Sequence, residues 1–196
     1  MHMPRPRSFN EDTVLESIMM VFWHKGYAAT SAEDLVQASG LGRSSLYNAF
    51  SSKEALFEKA LDCYLRRTRE TAASLDTTDA STTDLIQNLL LSALELEARE
   101  ERIGCLVTNT AIERAGQDER IASLLSRHFD LLQRSLVHLI ERGQQCGEIN
   151  PSHDATALAG LILATLQGLR VLSKADTTHE NQVLKDIIDQ AILLIR

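Results

Sequence analysis

Apolar residues recur at intervals of three and four along most of the chain, the spacing that places them on one face of an α-helix. The pattern predicts a first helix from about Glu11 to His24, which Gly26 ends. It then predicts two short helices joined at Gly40, and further helices over residues 53–74, 84–101, 106–115, 119–145, 154–173 and 181–195. We therefore expect an all-α protein of about nine helices.

The two short helices are bounded by signals for helix ends. Thr30 and Glu33 have the spacing of a capping box, in which a hydroxyl and a carboxylate each satisfy a backbone amide, and Ser51 and Glu54 repeat it. Gly40 stands where the first helix must end, because glycine adopts the left-handed conformation without steric cost. This arrangement is typical of a helix-turn-helix, and the alternative is an ordinary helix hairpin in an all-helical core.

The second short helix, which starts at about Gly42, carries its hydrogen-bonding groups opposite its apolar anchors, Leu46 and Phe50. That polar face contains no acidic residue and consists of Arg43, Ser44, Ser45, Tyr47 and Asn48. Arginine pairs with guanine edges, asparagine with adenine edges, and hydroxyl groups with phosphates, so the face favours binding in the DNA major groove. Lys53 adds a positive charge to the amides of the next helix start and is a candidate phosphate contact.

The residues around these helices form a longer motif. It comprises Thr30-Ser31, Asp34-Leu35, Ala38, Gly40-Leu41, Leu46-Tyr47, Phe50, Ser52-Lys53-Glu54 and Leu56. The motif resembles the DNA-binding signature of the tetracycline-repressor (TetR/AcrR) family, and the upstream residues Phe22 and Lys25-Gly26-Tyr27 resemble the end of that family's first helix. Gly42 and Ser44 depart from the family, which usually has serine at the first position and glycine at the second.

The resemblance covers about residues 10 to 60 and implies a function. It implies a transcriptional regulator, most often a repressor, that binds a palindromic operator as a homodimer and is released by a small-molecule effector. Residues 1–54 would form the DNA-binding domain, with a basic arm at Arg5 and Arg7, and residues 55–196 the helical domain for effector binding and dimerisation. The DNA contacts implied are Thr30, Ser31, Arg43, Ser44, Ser45, Tyr47, Asn48 and Lys53.

The net charge of −7 is unevenly distributed. Residues 1–70 hold nine basic and nine acidic side chains, whereas residues 71–196 hold eleven basic and eighteen acidic ones. Because phosphate binding depends on where cations lie, an acidic body with a neutral head fits a protein that contacts DNA at one end.

Residues 154–173 contain one acidic and one basic residue and are apolar almost all round. A helix of this kind must be covered on every side, which predicts a partner subunit, and the alternative is a helix deeply buried in a monomer. In the family the two C-terminal helices of each subunit form the dimer interface. The interface residues expected here are Ala157, Gly160, Ala164, Gly168, Ile187, Ile188 and Ala191.

The body of a family member usually encloses an effector pocket, and the candidates here are Cys105, Thr108, Asn109, Phe129 and Gln167. The competing interpretation is that these are buried polar groups bonded to the backbone. The segment Gly104-Cys105-Leu106-Val107 also resembles one found in family members that sense electrophiles or oxidants, and a helix start with Arg102 nearby favours a thiolate. The alternative functions are thus a thiol-sensing regulator or a helical redox protein acting through Cys105. The competing interpretation is that Cys105 is an unreactive, small apolar residue, as most single cysteines in helical proteins are.

Other classes of site have no support in the sequence. The three cysteines are expected to be reduced, and His24, His128 and His138 to be surface or satisfied core residues rather than metal ligands. No catalytic constellation stands out, so we expect neither an enzyme nor a cofactor. No apolar run approaches the ~20 residues of a membrane span, which predicts a cytoplasmic protein without a membrane partner. An architectural DNA-binding protein without an effector is a third possibility, which the large body disfavours.

Overall fold

The computed structural model describes residues 9–77, 80–99, 103–175 and 181–196. The basic arm and Arg102 lie outside these residues. Within them the chain forms nine α-helices, which confirms the all-α prediction. They are α1 (Glu11–Ala29), α2 (Ala32–Ser39), α3 (Arg43–Phe50), α4 (Lys53–Thr77), α5 (Thr82–Arg99), α6 (Leu106–Arg114), α7 (Glu119–Cys146), α8 (Ala155–Ala175) and α9 (Gln182–Ile195).

The chain divides into two compact units, Met1–Arg66 and Arg67–Arg196, here called the head and the body. We had placed the boundary after residue 54. The first part of α4 instead belongs with the head because its aromatic side chains pack against α1. Phe57 lies 4.9 Å from Phe22, and Tyr64 lies 4.9 Å from Trp23, between ring centroids.

Helix α1 continues past the predicted stop. Gly26 has φ 75°, so the helix is interrupted there but resumes for a further turn to Ala29. The Thr30 hydroxyl donates to the Gly26 carbonyl oxygen at 2.6 Å and is buried. The left-handed glycine therefore produces a kink that a threonine side chain stabilises.

Both predicted capping residues are wrong by one position, and only the first helix start forms a capping box. Ser31 caps α2, accepting from the Asp34 amide at 3.1 Å, while the Asp34 carboxylate accepts from the Ser31 amide at 2.8 Å. At the start of α4, the Ala55 amide donates to the Ser52 hydroxyl at 3.2 Å. Ser51 instead ends α3 with a positive φ of 70°.

The body core is an apolar cluster contributed mainly by α5, α7, α8 and α9. Helix α8 buries Ile162, Leu166 and Leu169 in it. By length and composition alone α8 would suffice to cross a membrane, contrary to our expectation that no segment would. One such helix is weak evidence for a membrane span, because core helices reach the same composition.

Candidate functional site

Helix α3 is held by two side chains and exposes the rest. Leu46 and Phe50 are almost completely buried, as predicted, and Gly40 turns the chain into α3 with φ 64°. The helix has no side-chain cap at Gly42 and no acidic residue in its first turn. Its exposed residues are Arg43, Ser44, Ser45 and Asn48, with Tyr47 half-buried. The amides at the start of α3 and the neighbouring hydroxyl, amide and guanidinium groups form a surface suited to an anionic partner.

Thr30 does not belong to this surface. It is 2% exposed, and its hydroxyl is engaged with Gly26, so its assignment as a DNA contact is wrong. Ser31 is exposed, but its hydroxyl also donates to the Asp34 carboxylate at 2.9 Å. Thr30 thus stabilises the end of α1, and Ser31 stabilises the start of α2.

Lys53 is positioned by contacts with Tyr27, at the end of α1. Its Nζ lies 4.5 Å from the centroid of the Tyr27 ring, a cation–π distance. The Tyr27 hydroxyl in turn donates to Glu54 Oε1 at 2.6 Å. The lysine at the first position of α4 is therefore held near the C-terminal end of α3 with its charge still available.

A second lysine of the head, Lys25, forms an ion pair within the head. Lys25 Nζ lies 2.6 Å from Asp34 Oδ1. The hydrogen bond from Lys25, followed by those from the Ser31 amide and hydroxyl, lowers the pKa of Asp34 to about 2. This pair fixes α2 to α1 and offsets the charge of one of the two acidic residues in the first turn of α2.

In the body, three of the five predicted pocket residues come together, and Arg170 joins them. The Thr108 hydroxyl donates to Gln167 Oε1 at 2.7 Å. Arg170 Nη1 lies 3.4 Å from the same oxygen and 3.5 Å from Cys105 Sγ. Cys105 is the N-cap residue of α6, as its predicted place at a helix start required, but it is only 2% exposed.

The other two predicted pocket residues have different surroundings. The Asn109 side-chain amide donates to the Ile103 carbonyl oxygen at 2.8 Å, which closes the turn before α6. It is thus bonded to the backbone, as the competing interpretation proposed. Phe129 is half-buried, with its ring 5.7 Å from that of His128.

His128 and Arg170 were not among the predicted pocket residues. His128 is a buried core residue whose Nδ1 lies 3.4 Å from the Thr68 hydroxyl. Burial, and then the positive charges of Arg170 and Arg69, lower the pKa of His128 to about 4, so it is neutral near pH 7. Arg170 had a usable signal in the sequence, since it is the one basic residue within the apolar segment 154–173.

Helices α8 and α9 together expose an apolar face. Among the side chains that the structure describes, seven of the eight large exposed apolar residues lie on these helices: Leu161, Val171, Leu172, Val183, Ile187, Leu193 and Leu194. A groove of about 360 Å³ runs between the two helices and is lined by Leu161, Val183, Ile187, Ala191 and Leu194, among others.

The small residues of α8 lie on or beside this face. Ala157 and Ala164 are exposed, and a side chain at Gly168 would meet no atom within 4 Å. At Gly160 the nearest neighbour of an added Cβ would be the Gln133 side chain, 3.7 Å away. Ile188 is completely buried in the core of its own chain, so its assignment to a partner interface is wrong.

Comparison with known proteins gives two family models and many relatives. The model described as "Bacterial regulatory proteins, tetR family" matches residues 14–60, and that described as "Tetracyclin repressor-like, C-terminal domain" matches residues 82–187. The HTH-type transcriptional repressor ComR of Escherichia coli (strain K12) is 29% identical over 178 residues, 90% of this chain and 85% of ComR. The uncharacterised HTH-type regulator YezE of Bacillus subtilis (strain 168) is 28% identical over 98% of this chain and 100% of YezE.

Among solved structures, the TetR family transcriptional regulator CifR is similar over its full length. It was solved as a cysteine mutant in complex with 26-base-pair double-strand operator DNA. It has a TM-score of 0.81 and 30% sequence identity, and the match covers 98% of this chain and 100% of the CifR chain.

Proposed function

The chain belongs to the tetR family of bacterial regulatory proteins, and from that premise we propose that it binds a palindromic double-stranded DNA operator as a homodimer and is released by a small-molecule effector. The family consists of transcriptional regulators, so the chain is a regulator and not an enzyme, as predicted. We place it in the cytoplasm, where it would reach the chromosome.

The observation that carries the proposal is the exposed face of α3. Its polar groups point outward from two buried anchors, without an acidic residue to repel phosphates. Arg43 and Asn48 are assigned to base edges, and Ser44, Ser45 and Tyr47 to the backbone or to base edges. Lys53 would hold a phosphate beside the end of α3. Ser31 is exposed, but its amide and its hydroxyl both donate to the Asp34 carboxylate, so we do not assign it to a phosphate.

The proposed homodimer rests on the exposed face of α8 and α9. An isolated chain that leaves seven large apolar side chains on two adjacent helices exposes a patch typical of an interaction surface. We propose that a second copy of this chain covers the face. A two-fold axis there would place the same apolar surface of each copy against the other, and a dimer of this kind would offer one head to each half-site of a palindromic operator.

The DNA-binding proposal is tested by selecting bound sequences from a random duplex library. We expect enrichment of an inverted repeat whose half-sites are separated by about one helical turn or a multiple of it. A variant with Arg43, Ser45 and Asn48 all replaced by alanine should enrich nothing, whereas Arg134→Ala, at an exposed position of α7, should enrich the same repeat. Failure of the wild type to enrich any sequence would contradict the proposal.

A thiol-based response is the second candidate function. It is favoured by the guanidinium group 3.5 Å from Cys105 Sγ, which would stabilise a thiolate. Burial of Cys105 opposes it, because a sensor thiol must be reached by its reagent. If the response exists, mild oxidant should release the wild type from DNA and leave Cys105→Ser bound, while Cys63→Ser and Cys146→Ser respond like the wild type. A native Cys105 that does not react with a thiol reagent would exclude this function.

A further inference from the structure

One side of helix α8 carries buried polar atoms without partners. Gln167 Nε2, Arg170 Nε and Ser173 Oγ are each shielded from solvent, and none has a hydrogen-bond partner among the described residues. Ser173 as a whole is only 3% exposed. Positions three residues apart are neighbours on a helix surface, so the three groups follow one another along one side of α8.

All three groups can act as hydrogen-bond donors. The amide oxygen of Gln167 already accepts from Thr108 and Arg170, which leaves its NH₂ group unused. The Nε–H of arginine can only donate, and a serine hydroxyl can donate to any acceptor nearby. A buried donor without a partner lowers the stability of the folded protein, so a bound group with several hydrogen-bond acceptors would stabilise this part of α8.

The same part of α8 carries the positive charge of Arg170, and no described residue forms an ion pair with it. The guanidinium of Arg170 stays protonated in proteins, and its two hydrogen bonds, to a thiol and to an amide oxygen, are long. No carboxylate lies within ion-pair distance of it among the described residues.

We propose that the effector is a small organic acid whose carboxylate binds Arg170, Gln167 and Ser173. This rests on the proposed function, since it names the chemical class of the effector. An arginine fork matches a carboxylate in geometry, and the amide and hydroxyl donors would satisfy its remaining lone pairs. It also assigns the charge of Arg170 to the ligand, whereas the thiol-based alternative assigns it to Cys105.

The test uses butyrate, benzoate and phenylacetate, each compared with its neutral amide at constant ionic strength. At least one acid should raise the thermal midpoint of the full-length wild type saturably, by about 2–4 °C, while its amide does not. Arg170→Gln should weaken the apparent affinity for that acid by about 10–100-fold, and Ser173→Ala, which removes only a hydroxyl, should weaken it less. The control Arg134→Gln, at an exposed position of α7, should respond like the wild type.

The outcomes separate this inference from the proposed function. Operator binding is measured first without any acid, and its absence in the wild type would defeat the proposed function itself. If the wild type binds its operator but no acid shifts the midpoint more than its amide does, the effector class is wrong. An unchanged response in both Arg170→Gln and Ser173→Ala would equally overturn the assignment. The expected acid should also release the wild type from the operator, and Arg170→Gln should remain bound at the same concentration.

Discussion

At the scale of single residues, the exposed face of α3 and the start of α4 contain groups with different expected roles. Arg43 is proposed to contact base edges, whereas Lys53, a proposed phosphate contact, is held at a helix start by the Tyr27 ring. A base contact changes sequence preference, and a phosphate contact changes affinity for all sequences alike. The two residues can therefore be distinguished by substitution.

Arg43→Ala should weaken operator binding by about 1–3 kcal/mol and relax the preference at one position in each half-site. Lys53→Ala should weaken binding to every operator variant equally and reduce the salt dependence by about one unit of slope. Mobility-shift titrations over a set of single-base operator variants, repeated at several salt concentrations, measure the change in base preference and the change in salt dependence. Identical behaviour of the two variants would contradict this division of roles.

His128 gives the body a pH dependence. Its pKa of about 4 in the folded protein lies below its usual value of 6.5, so between these values the unfolded chain binds a proton that the folded chain does not. The free energy of unfolding should therefore fall as pH decreases from about 6.5 to about 4. In urea unfolding, the free energy of unfolding should decrease less between pH 7 and pH 5 for His128→Gln than for the wild type. His24→Gln, at an exposed position, should retain the full decrease.

Residue types and spacing identified most of the α3 face, because its two anchors are apolar and everything else is polar. They did not identify which of two adjacent hydroxyl residues faces outward. Thr30 was assigned to DNA, but its hydroxyl is satisfied by Gly26. That contact spans four residues and accompanies the positive φ of Gly26 inside α1, a local backbone feature that the spacing of apolar residues does not reveal.

At the scale of elements, the start of α2 depends on one reciprocal cap. The Ser31 hydroxyl and the Asp34 carboxylate each satisfy a backbone amide, and Lys25 adds a 2.6 Å ion pair. A helix of eight residues is too short to be stable alone, so its cap and its packing together determine whether it forms.

Ser31→Ala should lower the free energy of unfolding by about 0.5–2 kcal/mol, since it removes the capping hydroxyl. Ser44→Ala, at an exposed position of α3 with no capping role, should change it by less than about 0.5 kcal/mol. Chemical denaturation of both variants beside the wild type tests this. Equal effects would show that the Ser31 cap contributes nothing specific.

The positions of the helices were predictable, because a glycine at a helix end and apolar residues spaced three or four apart are both visible in the local sequence. Helix starts were not predicted to the residue, because Thr30-Ser31 and Ser51-Ser52 each offer two adjacent capping hydroxyls. In the first pair the Thr30 hydroxyl bonds to the carbonyl of Gly26, four residues earlier, and Ser31 caps the helix. In the second pair Ser51 has a positive φ, and Ser52 caps the helix.

At the scale of the whole molecule, the apolar face of α8 and α9 was predictable from composition, but its exact members were not. A helix that is apolar all round does not reveal which side its own chain covers. Ile188 is covered by its own core, whereas its neighbour Ile187 stays exposed. Gln167 was predicted, but Arg170 and Ser173 were not; the contact of Arg170 with Cys105 joins positions 65 residues apart, which the apolar period does not reveal.

Leu161→Glu should dissociate the proposed homodimer, because it places a charge in the apolar groove. Operator affinity should fall with it, since one head then binds one half-site. Ile112→Glu is the matched control, because Ile112 is 76% exposed but lies on α6. Sedimentation velocity and mobility-shift assays should show a monomer with weak DNA binding for the first variant and a wild-type dimer for the second. A Leu161→Glu protein that remains dimeric would contradict the interface.

The construction of α3 has a consequence for evolution. The residues that hold the helix, Leu46 and Phe50, are distinct from its four exposed residues, which we propose to read the operator. The codons for folding and the codons for operator choice would therefore be separate. A duplicated gene can therefore accumulate changes at those four codons while its product still folds. Operator preference can diverge between paralogues in this way, through intermediates that remain folded proteins, with selection acting on their target genes.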